Sequence, residues 1–563
     1  MLVFLQVLDV DGDLNNGIQI TSEMADIVSE HAAEINFDQA TVYSAFPRSL
    51  DDLLADLNAA GVFTDTYRGA RAFPNYFFDP SKIATMALAH FENTLNERVI
   101  TATTYGDVQG FAPDENTWQW RGIPYAAPPV GDLRWTPPQA PTAWTDTREA
   151  VAYGDQAAQN PTYALFGEGR VSEDCLYLNV TAPRNPETPL PVMVWFHGGE
   201  FSVLTANTAN YNNPLALPTK DVVVVTVNHR LGIFGYFAHP LLTAESDQSV
   251  SGNYGQLDLI AALQWVQANI ANFGGDPGNV TIFGESGGGA KVLSLMASPL
   301  AAGLFHKATC QSGTSDTDDI VIRPFDTLAD AETEGERLVG LLNAEDTIEV
   351  ATLAEMRALP WTTLVNTLIQ YNDTDDDARF SPTVDASEAN SNGYYLPEPM
   401  ESIYEAGEHN DVPLIIGVNQ GDYPTLTAGL LYYLPWMYEN SSSNIYAYVF
   451  THVPTGWRNE GVTAYHGLEL VYLFNSYASL SIHWLIGLPQ TGGATQQDPG
   501  LDELDPIVIE NMMTLWSNFA KTGDPSVDGG VQWQPYGGDS DPQYLEIDDT
   551  PVMQDDITAP FIS

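Results

Sequence analysis

The chain has 563 residues, of which 74 are acidic and 20 are basic, so its formal net charge at pH 7 is −54. Nucleic-acid and anionic-lipid binders need clustered Lys and Arg, so this balance argues against both classes. Hydrophobic residues make up 44 % and aromatic residues 11 %, a composition typical of folded proteins rather than of acidic disordered chains. The length suffices for one large core with an accessory domain.

Residues 1–97 are predicted to form an acidic, partly helical accessory segment. Apolar residues at positions 50, 53, 54 and 57 share one face of a helix that begins after Ser49 and ends near Gly61. A different pattern, in which strands alternate with helices, begins around Arg98. We therefore expect two parts, residues 1–97 and 98–563.

A calcium loop is one interpretation of the extreme N-terminal region, where oxygen-bearing side chains alternate along the chain. Leu14 and Ile20 occupy positions that an EF-hand loop gives to Gly and Glu, so the loop would be of another, extracellular type. The alternative is a solvated acidic tail. The predicted ligands of a structural Ca²⁺ are Asp9, Asp11, Asp13 and Asn15.

The chain contains no apolar run near the ~18 residues that a membrane span requires. Its apolar start reaches Asp9 too soon and lacks basic residues, so it is not a complete signal peptide. We expect an extracellular or periplasmic protein whose export signal lies outside this chain.

From residue 98 onwards, short apolar runs alternate with a helical pattern. The run at 221–228 is rich in valine, as strands buried on both faces are. Such alternation predicts an α/β fold with a mostly parallel, right-handed wound sheet flanked by helices. Strands are predicted at 191–197, 221–228, 279–283, 413–418 and 445–450, and a long helix at 254–272.

A nucleophilic serine is predicted at Ser286, within Gly284-Glu-Ser-Gly-Gly288. The motif connects the predicted strand at 279–283 to a helix-like stretch, which favours the sharp turn that exposes a serine at the edge of a sheet. Gly198 and Gly199 follow an earlier strand. Their N–H groups, with that of Gly287, could stabilise the oxyanion of an acyl-transfer reaction.

Together with these motifs, five further stretches resemble the type-B carboxylesterase/cholinesterase family of α/β-hydrolases, in particular bacterial para-nitrobenzyl esterases. The resemblance covers residues 98–563 and implies a serine carboxylesterase that needs no cofactor. The stretches are Arg121–Trp135, Ser172–Asn179, Asn228–Gly232, Gln311–Gly313 and Phe519–Pro525.

The same resemblance implies the other members of a Ser-acid-His triad. Its histidine corresponds to His466 and its acid to Asp422, where the family usually has Glu. Asp411 and Asp385 are alternative acids. Glu285 resembles a residue that tunes the site electrostatically, its other interpretation being a buried carboxylate.

The chain also departs from the family. The expected disulfide partner of Cys175 is replaced by Ala157, so Cys175 is predicted to be a buried free thiol, and Cys310 is predicted to be buried too. The stretch between Asp422 and His466 is short. Its aromatic residues predict either an open site for hydrophobic or aryl esters or ordinary core packing. They are Tyr423, Tyr432, Tyr433, Trp436, Tyr438 and, nearby, Trp457.

Several functions use such residues. The leading prediction is hydrolysis of small-molecule or polymeric esters, while carbamates and amides would need the same groups. Relatives that lack the triad act in adhesion, but every triad position is filled here. The charge of −54 favours either a salt-adapted enzyme from a saline habitat or a merely acidic secreted protein.

Overall fold

The computed structural model describes residues 97–160, 163, 167–208, 210–314, 325–344, 350–374, 380–476 and 500–561. The predicted accessory segment, apart from Glu97, lies outside these residues. So do its predicted helix and the four predicted calcium ligands, Asp9, Asp11, Asp13 and Asn15. The chain divides into two units, and the fold described below is that of the second, Arg98–Gly167 with Val171–Ser563.

Thirteen of the strands in the described residues join into one large sheet, and β5 and β6 form a separate pair. The strands are β1 Arg98–Thr103, β2 Gly106–Phe111, β3 Thr117–Pro124, β4 Arg148–Glu149, β5 Gln156–Ala157, β6 Val171–Ser172, β7 Tyr177–Pro183, β8 Leu190–Phe196, β9 Val223–Val227, β10 Gly275–Glu285, β11 Lys307–Gln311, β12 Leu414–Asn419, β13 Ile445–Phe450, β14 Tyr544–Ile547 and β15 Val552–Gln554.

The order along the large sheet is β1-β2-β3-β7-β9-β8-β10-β11-β12-β13-β14-β15, with β4 beside β2. Neighbours from β9 to β14 are parallel. The pairs β1–β2, β2–β3, β3–β7, β7–β9 and β14–β15 are antiparallel. Since β9 and β10 lie on opposite sides of β8, the strand order reverses there, and ligands of open α/β sheets bind at such switch points beyond the carboxyl ends of the strands.

The central strands are apolar along their whole length because both faces of the sheet are covered. In β8, Val192, Val194 and Phe196 enter one hydrophobic core, whereas Met193 and Trp195 enter a second core on the opposite face. This two-residue alternation is that of any strand, and here both sets are fully buried. The predicted α/β architecture is therefore confirmed.

Helices cover the sheet, and none of those described is long and apolar enough to cross a membrane. The predicted helix at 254–272 is confirmed as α3, which continues into a 3-10 turn and ends before Gly274. The helices are α1 Gly232–Tyr236, α2 Pro240–Glu245, α3 Tyr254–Asn269, α4 Gly287–Ala297, α5 Leu328–Ala344, α6 Leu353–Ala358, α7 Trp361–Thr374, α8 Met400–Glu405, α9 Pro424–Glu439, α10 Thr455–Asn459, α11 Glu469–Leu473 and α12 Asp505–Thr522.

Two buried ion pairs explain three of the family-like stretches. Arg230 binds Asp258 of α3 through Nε at 2.8 Å and Nη2 at 2.7 Å. Arg134 donates two hydrogen bonds to the Glu173 carboxylate, from Nε at 2.6 Å and from Nη2 at 2.5 Å. Removing one partner of such a buried pair leaves the other charge buried and unpaired, which typically lowers the free energy of unfolding by about 3–5 kcal/mol. These residues hold the loops around the carboxyl edge of the sheet.

Both cysteines are buried and neither forms a disulfide, as predicted. Burial raises the pKa of the Cys310 thiol to about 12, and burial likewise raises the pKa of Cys175. Because the thiolate is the reactive form, both side chains behave as small apolar core residues.

Candidate active site

Ser286 occupies a strained turn between β10 and α4. Its backbone has φ 59° and ψ −128°, a left-handed conformation that residues other than glycine rarely adopt. The chain must turn tightly here, because a Cβ at Gly288 would lie 2.1 Å from the carbonyl oxygen of Phe196. The Ser286 N–H donates to the Gln311 carbonyl at 2.9 Å, which ties the turn to β11. This is the geometry of the predicted nucleophile elbow.

The glycine loop, which we define as residues 197–203, follows β8 and packs against this turn. A Cβ at Gly198 would lie 3.3 Å from the Cβ of Ser286, and one at Gly287 would lie 2.1 Å from the Glu200 carbonyl oxygen. Gly199 has φ +80°, and a Cβ there would clash with a loop carbonyl at 2.4 Å. A side chain would clash with backbone at Gly199 and Gly287 and would be tightly packed at Gly198, so glycine suits all three predicted oxyanion positions.

Asp422 and His466 are in direct contact. The His466 Nδ1–H donates to Asp422 Oδ1 at 2.8 Å, and the Asp422 side chain is fully buried. Asp422 follows β12 and also accepts the backbone N–H of Tyr423 at 2.8 Å and that of Asn419 at 3.3 Å. The Gly421 N–H donates to the Ala464 carbonyl at 2.8 Å, so a backbone bridge holds the two segments together.

The alternative acids are engaged elsewhere. Asp411 accepts hydrogen bonds from the backbone N–H groups of Ser442 and Ser443. Asp385 is buried and accepts three backbone N–H groups from residues 394–396 together with the side-chain amide of Asn253. Of the three acids considered, Asp422 is the one that binds His466.

Glu285 faces the other nitrogen of the same imidazole, with Oε1 3.2 Å from His466 Nε2. Burial opposes the charge of the His466 imidazolium, but Glu285 and Asp422 outweigh burial and raise the pKa of His466 to about 10. Burial raises the pKa of Glu285. A buried carboxylate beside the imidazolium is an arrangement that tunes a site electrostatically.

Glu469 is a functional candidate that the sequence analysis did not single out. It is fully buried and accepts hydrogen bonds from Asn419 Nδ2 at 2.6 Å and Gln311 Nε2 at 3.1 Å. The same Asn419 amide donates to the Tyr465 carbonyl at 2.7 Å. Asn419 therefore joins the strand end at Asp422 to the loop of His466. The sequence signal that could have identified Glu469 is its place as the one carboxylate of α11, which is otherwise apolar or aromatic.

The aromatic residues after Asp422 divide between the site and the core. The Tyr423 ring centroid lies 5.1 Å from that of His466, so Tyr423 borders the candidate site. Tyr432 and Trp436 pair on α9 with centroids 4.3 Å apart. Trp457 is 1 % exposed and Tyr433 is 8 % exposed, and each packs within a hydrophobic core. For Trp457 and Tyr433 this packing agrees with the second of the two interpretations, ordinary core packing. Tyr438 packs edge-on against Tyr536 at 5.6 Å.

The described residues contain no group of three His, Cys, Asp or Glu side chains arranged to hold a metal ion. What they bring together is a hydroxyl at a strained turn, an imidazole between two carboxylates, and a glycine loop packed against that turn. Such a set can transfer an acyl group by nucleophilic catalysis.

Comparison with known proteins identifies the family. The model of the carboxylesterase family matches residues 96–432 and 431–561. The chain is 32 % identical over 508 residues to the fumonisin B1 esterase of Sphingopyxis macrogoltabida, covering 83 % of this chain and 89 % of that protein. It is 31 % identical over 518 residues to the para-nitrobenzyl esterase of Bacillus subtilis (strain 168), covering 82 % and 95 %.

Solved structures agree with this assignment. A PNB esterase structure superposes with a TM-score of 0.67 and 28 % sequence identity, over 82 % of this chain and 99 % of that one. Its α/β-hydrolase fold is the one described above, with the elbow and the glycine loop at the switch point of the sheet. The chain belongs to the carboxylesterase family of α/β-hydrolases and is a carboxylic-ester hydrolase.

Proposed function

We propose that this hydrolase works through an acyl-enzyme on Ser286, with His466 as general base and Asp422 as the group that orients it. The supporting observation is the 2.8 Å hydrogen bond from His466 Nδ1 to Asp422, next to a serine held in a strained elbow. An acceptor at Nδ1 keeps the proton there and leaves Nε2 to take the serine proton.

In the proposed reaction, Ser286 attacks the ester carbonyl while His466 accepts its proton. Negative charge develops on the carbonyl oxygen, and the N–H groups of Gly198, Gly199 and Gly287 stabilise it. The imidazolium then protonates the departing alkoxide. Water activated by His466 releases the acid and restores Ser286.

The proposed substrates are hydrophobic or aryl esters. Tyr423 places an aromatic ring beside His466, and one relative is named for para-nitrobenzyl esters. The net charge of −54 favours neutral or cationic esters over anionic ones, since it repels anions from the molecule.

Replacing the nucleophile tests the mechanism. Ser286→Ala is expected to lower kcat on p-nitrophenyl acetate by at least about 10³-fold, because no other group can form the acyl-enzyme. The matched control is Ser298→Ala. Ser298 lies at the end of α4, and its buried hydroxyl donates to the Tyr395 carbonyl. Normal turnover by the Ser286 variant would contradict the proposal.

A substrate panel separates the alternatives. We expect turnover of p-nitrophenyl esters and weak or no turnover of the matching anilides and carbamates. The anilides have a poorer leaving group, and the carbonyl carbon of the carbamates is less electrophilic. Faster cleavage of the amide or carbamate would assign the site to that class. No turnover of any member would favour a binding or adhesion role instead.

A further inference from the structure

We propose that Lys291 is a positioning residue that aims the N–H groups of the glycine loop at the oxyanion by holding the carbonyl of His197. The inference rests on the proposed function, because it gives the glycine loop its oxyanion role. It concerns a residue to which neither the motifs nor the triad assign any task.

The side chain of Lys291 is completely buried beneath the loop. It lies in the second turn of α4, five residues after Ser286, and it is 0 % exposed. Its Nζ donates to the His197 carbonyl oxygen at 2.9 Å and lies 5.6 Å from the ring centroid of Phe201. Lysine is almost never fully buried unless a partner compensates for lost hydration. Among the described residues, the hydrogen-bond partner of this amine is a loop carbonyl and not a carboxylate.

Because a peptide bond is planar, this contact also fixes the direction of the next N–H group in the loop. The described backbone has no cis peptide bonds, and a planar trans peptide holds its C=O and N–H antiparallel. Fixing the His197 oxygen towards α4 therefore points the Gly198 N–H the opposite way. The next peptide is held similarly, since His197 Nδ1–H donates to the Gly198 carbonyl at 2.9 Å and so orients the Gly199 N–H.

The hydrogen bond from Lys291 to the His197 carbonyl also makes the Gly198 N–H a stronger donor. A donor on a carbonyl polarises the whole peptide, and hydrogen bonds in a chain reinforce one another in a low-dielectric interior. Burial lowers the pKa of Lys291 to about 7. Both the ammonium and the neutral amine carry N–H groups, so the bond persists in either state. The effect is preorganisation: the loop needs no rearrangement when charge develops.

The test replaces the amine while keeping the length of the side chain. Lys291→Met is compared with the parent enzyme for kcat and KM on p-nitrophenyl butyrate, and for inhibition by an aryl trifluoromethyl ketone, whose serine adduct carries an oxyanion. We expect kcat to fall about 10- to 100-fold, less than or near the effect of deleting one oxyanion donor. KM should stay within about twofold, and the Ki of the ketone should rise by the same factor as kcat/KM falls.

The control is Lys307→Met, which removes a second buried lysine that is bonded to Asn279 at the opposite end of β11. Its kcat and Ki should not change. If Lys291→Met does not fold, Lys291→Leu, which likewise carries no donor, is judged on the same criteria. An unchanged kcat, or a loss of kcat without weaker ketone binding, would overturn the inference. Ser286→Ala separates failure of the proposed catalytic mechanism from failure of the Lys291 proposal. If Ser286→Ala remained active, the glycine loop would have no oxyanion to stabilise; if Ser286→Ala is inactive, the Lys291 variants test the positioning role alone.

Discussion

The surroundings of one imidazole govern the residue-scale chemistry of this protein. His466 lies between two buried carboxylates, Asp422 at Nδ1 and Glu285 at Nε2. A backbone bridge between Gly421 and Tyr465 brings the segments of Asp422 and His466 together, so the Asp422 carboxylate reaches the imidazole.

Removing the charge of Glu285 should shift the pH dependence of catalysis. A base must be neutral, so kcat/KM rises as His466 loses its proton, and Glu285 raises the pKa of that proton. In Glu285→Gln the pKa of His466 falls, and we expect the acidic limb of kcat/KM to move down by at least about one pH unit. The measurement is a pH–rate profile on a neutral ester.

The control for this profile is Glu401→Gln, which changes a carboxylate bonded to the Tyr433 hydroxyl and not to the imidazole. Its acidic limb should coincide with that of the parent enzyme. A limb that stays in place or moves upward in Glu285→Gln would show that Glu285 does not act through the charge on His466.

At the scale of elements, a partly buried charge cluster joins three parts of the fold. His452 follows β13 and donates through Nδ1 to Asp548 after β14 at 3.0 Å, and through Nε2 to Asp505 at the start of α12 at 3.2 Å. Arg458 also binds Asp548 at 2.7 Å. A carboxylate at each ring nitrogen favours the imidazolium, in which both nitrogens carry protons.

The cluster should make stability depend on pH in a defined direction. Burial opposes the charge, but the bonds to Asp505 and Asp548 raise the pKa of His452, and the bonds of His452 and Arg458 lower the pKa of Asp548 to about 2. The histidine contribution is complete below its unfolded pKa of about 6.5 and is lost as pH rises through the folded value. The Asp548 contribution is complete above about pH 4 and is lost as pH falls towards 2.

We expect His452→Gln to lower the free energy of unfolding by about 2 kcal/mol at pH 6 and by clearly less at pH 9. Urea unfolding of both proteins at the two pH values measures this difference. The control is His409→Gln, because burial lowers the pKa of His409 and reverses the trend with pH. A His452 effect that grows towards pH 9 would contradict the argument.

At the scale of the whole molecule, the chain carries a formal net charge of −54. In the described part of the chain, buried carboxylates are few, and most have a cationic partner or accept several hydrogen bonds. They include Glu173, Asp258, Glu285, Asp385, Glu469 and Asp505. The Asp422 side chain is buried too. Most other acidic side chains in the described ranges face solvent, where they repel one another over a distance that salt controls.

We propose that this surface adapts the enzyme to salt, and we expect Tm to rise as NaCl increases from low to molar concentration. Screening shortens the Debye length from about 30 Å at 0.01 M to about 3 Å at 1 M and so relieves the repulsion. Thermal melts over this range measure the effect. Sucrose is the control, since it stabilises by exclusion from the surface and cannot screen charge. A Tm that falls steadily with NaCl would contradict salt adaptation.

Much of the fold could be predicted from local sequence. The valine-rich run that became β9 and the apolar run that became β8 are readable because a strand buried on both faces needs apolar residues at every position. The predicted start of β10 was four residues late, since residues 275–278 carry no strand-like pattern and only Gly275 among them pairs with β8, at Leu190. The aromatic residues near Asp422 allowed two interpretations for a similar reason, because an aromatic side chain suits both a pocket and a core.

The sequence by itself determined the family, the α/β fold and the position of the strand-to-helix turn at Ser286, because these depend on glycines, strand runs and motifs that are local in the chain. The tertiary structure alone decided which carboxylate meets which nitrogen of His466, and that the amine of Lys291 ends on the carbonyl of His197, 94 positions away. Contacts of this kind depend on how distant segments pack, and a one-dimensional pattern contains no distances between them.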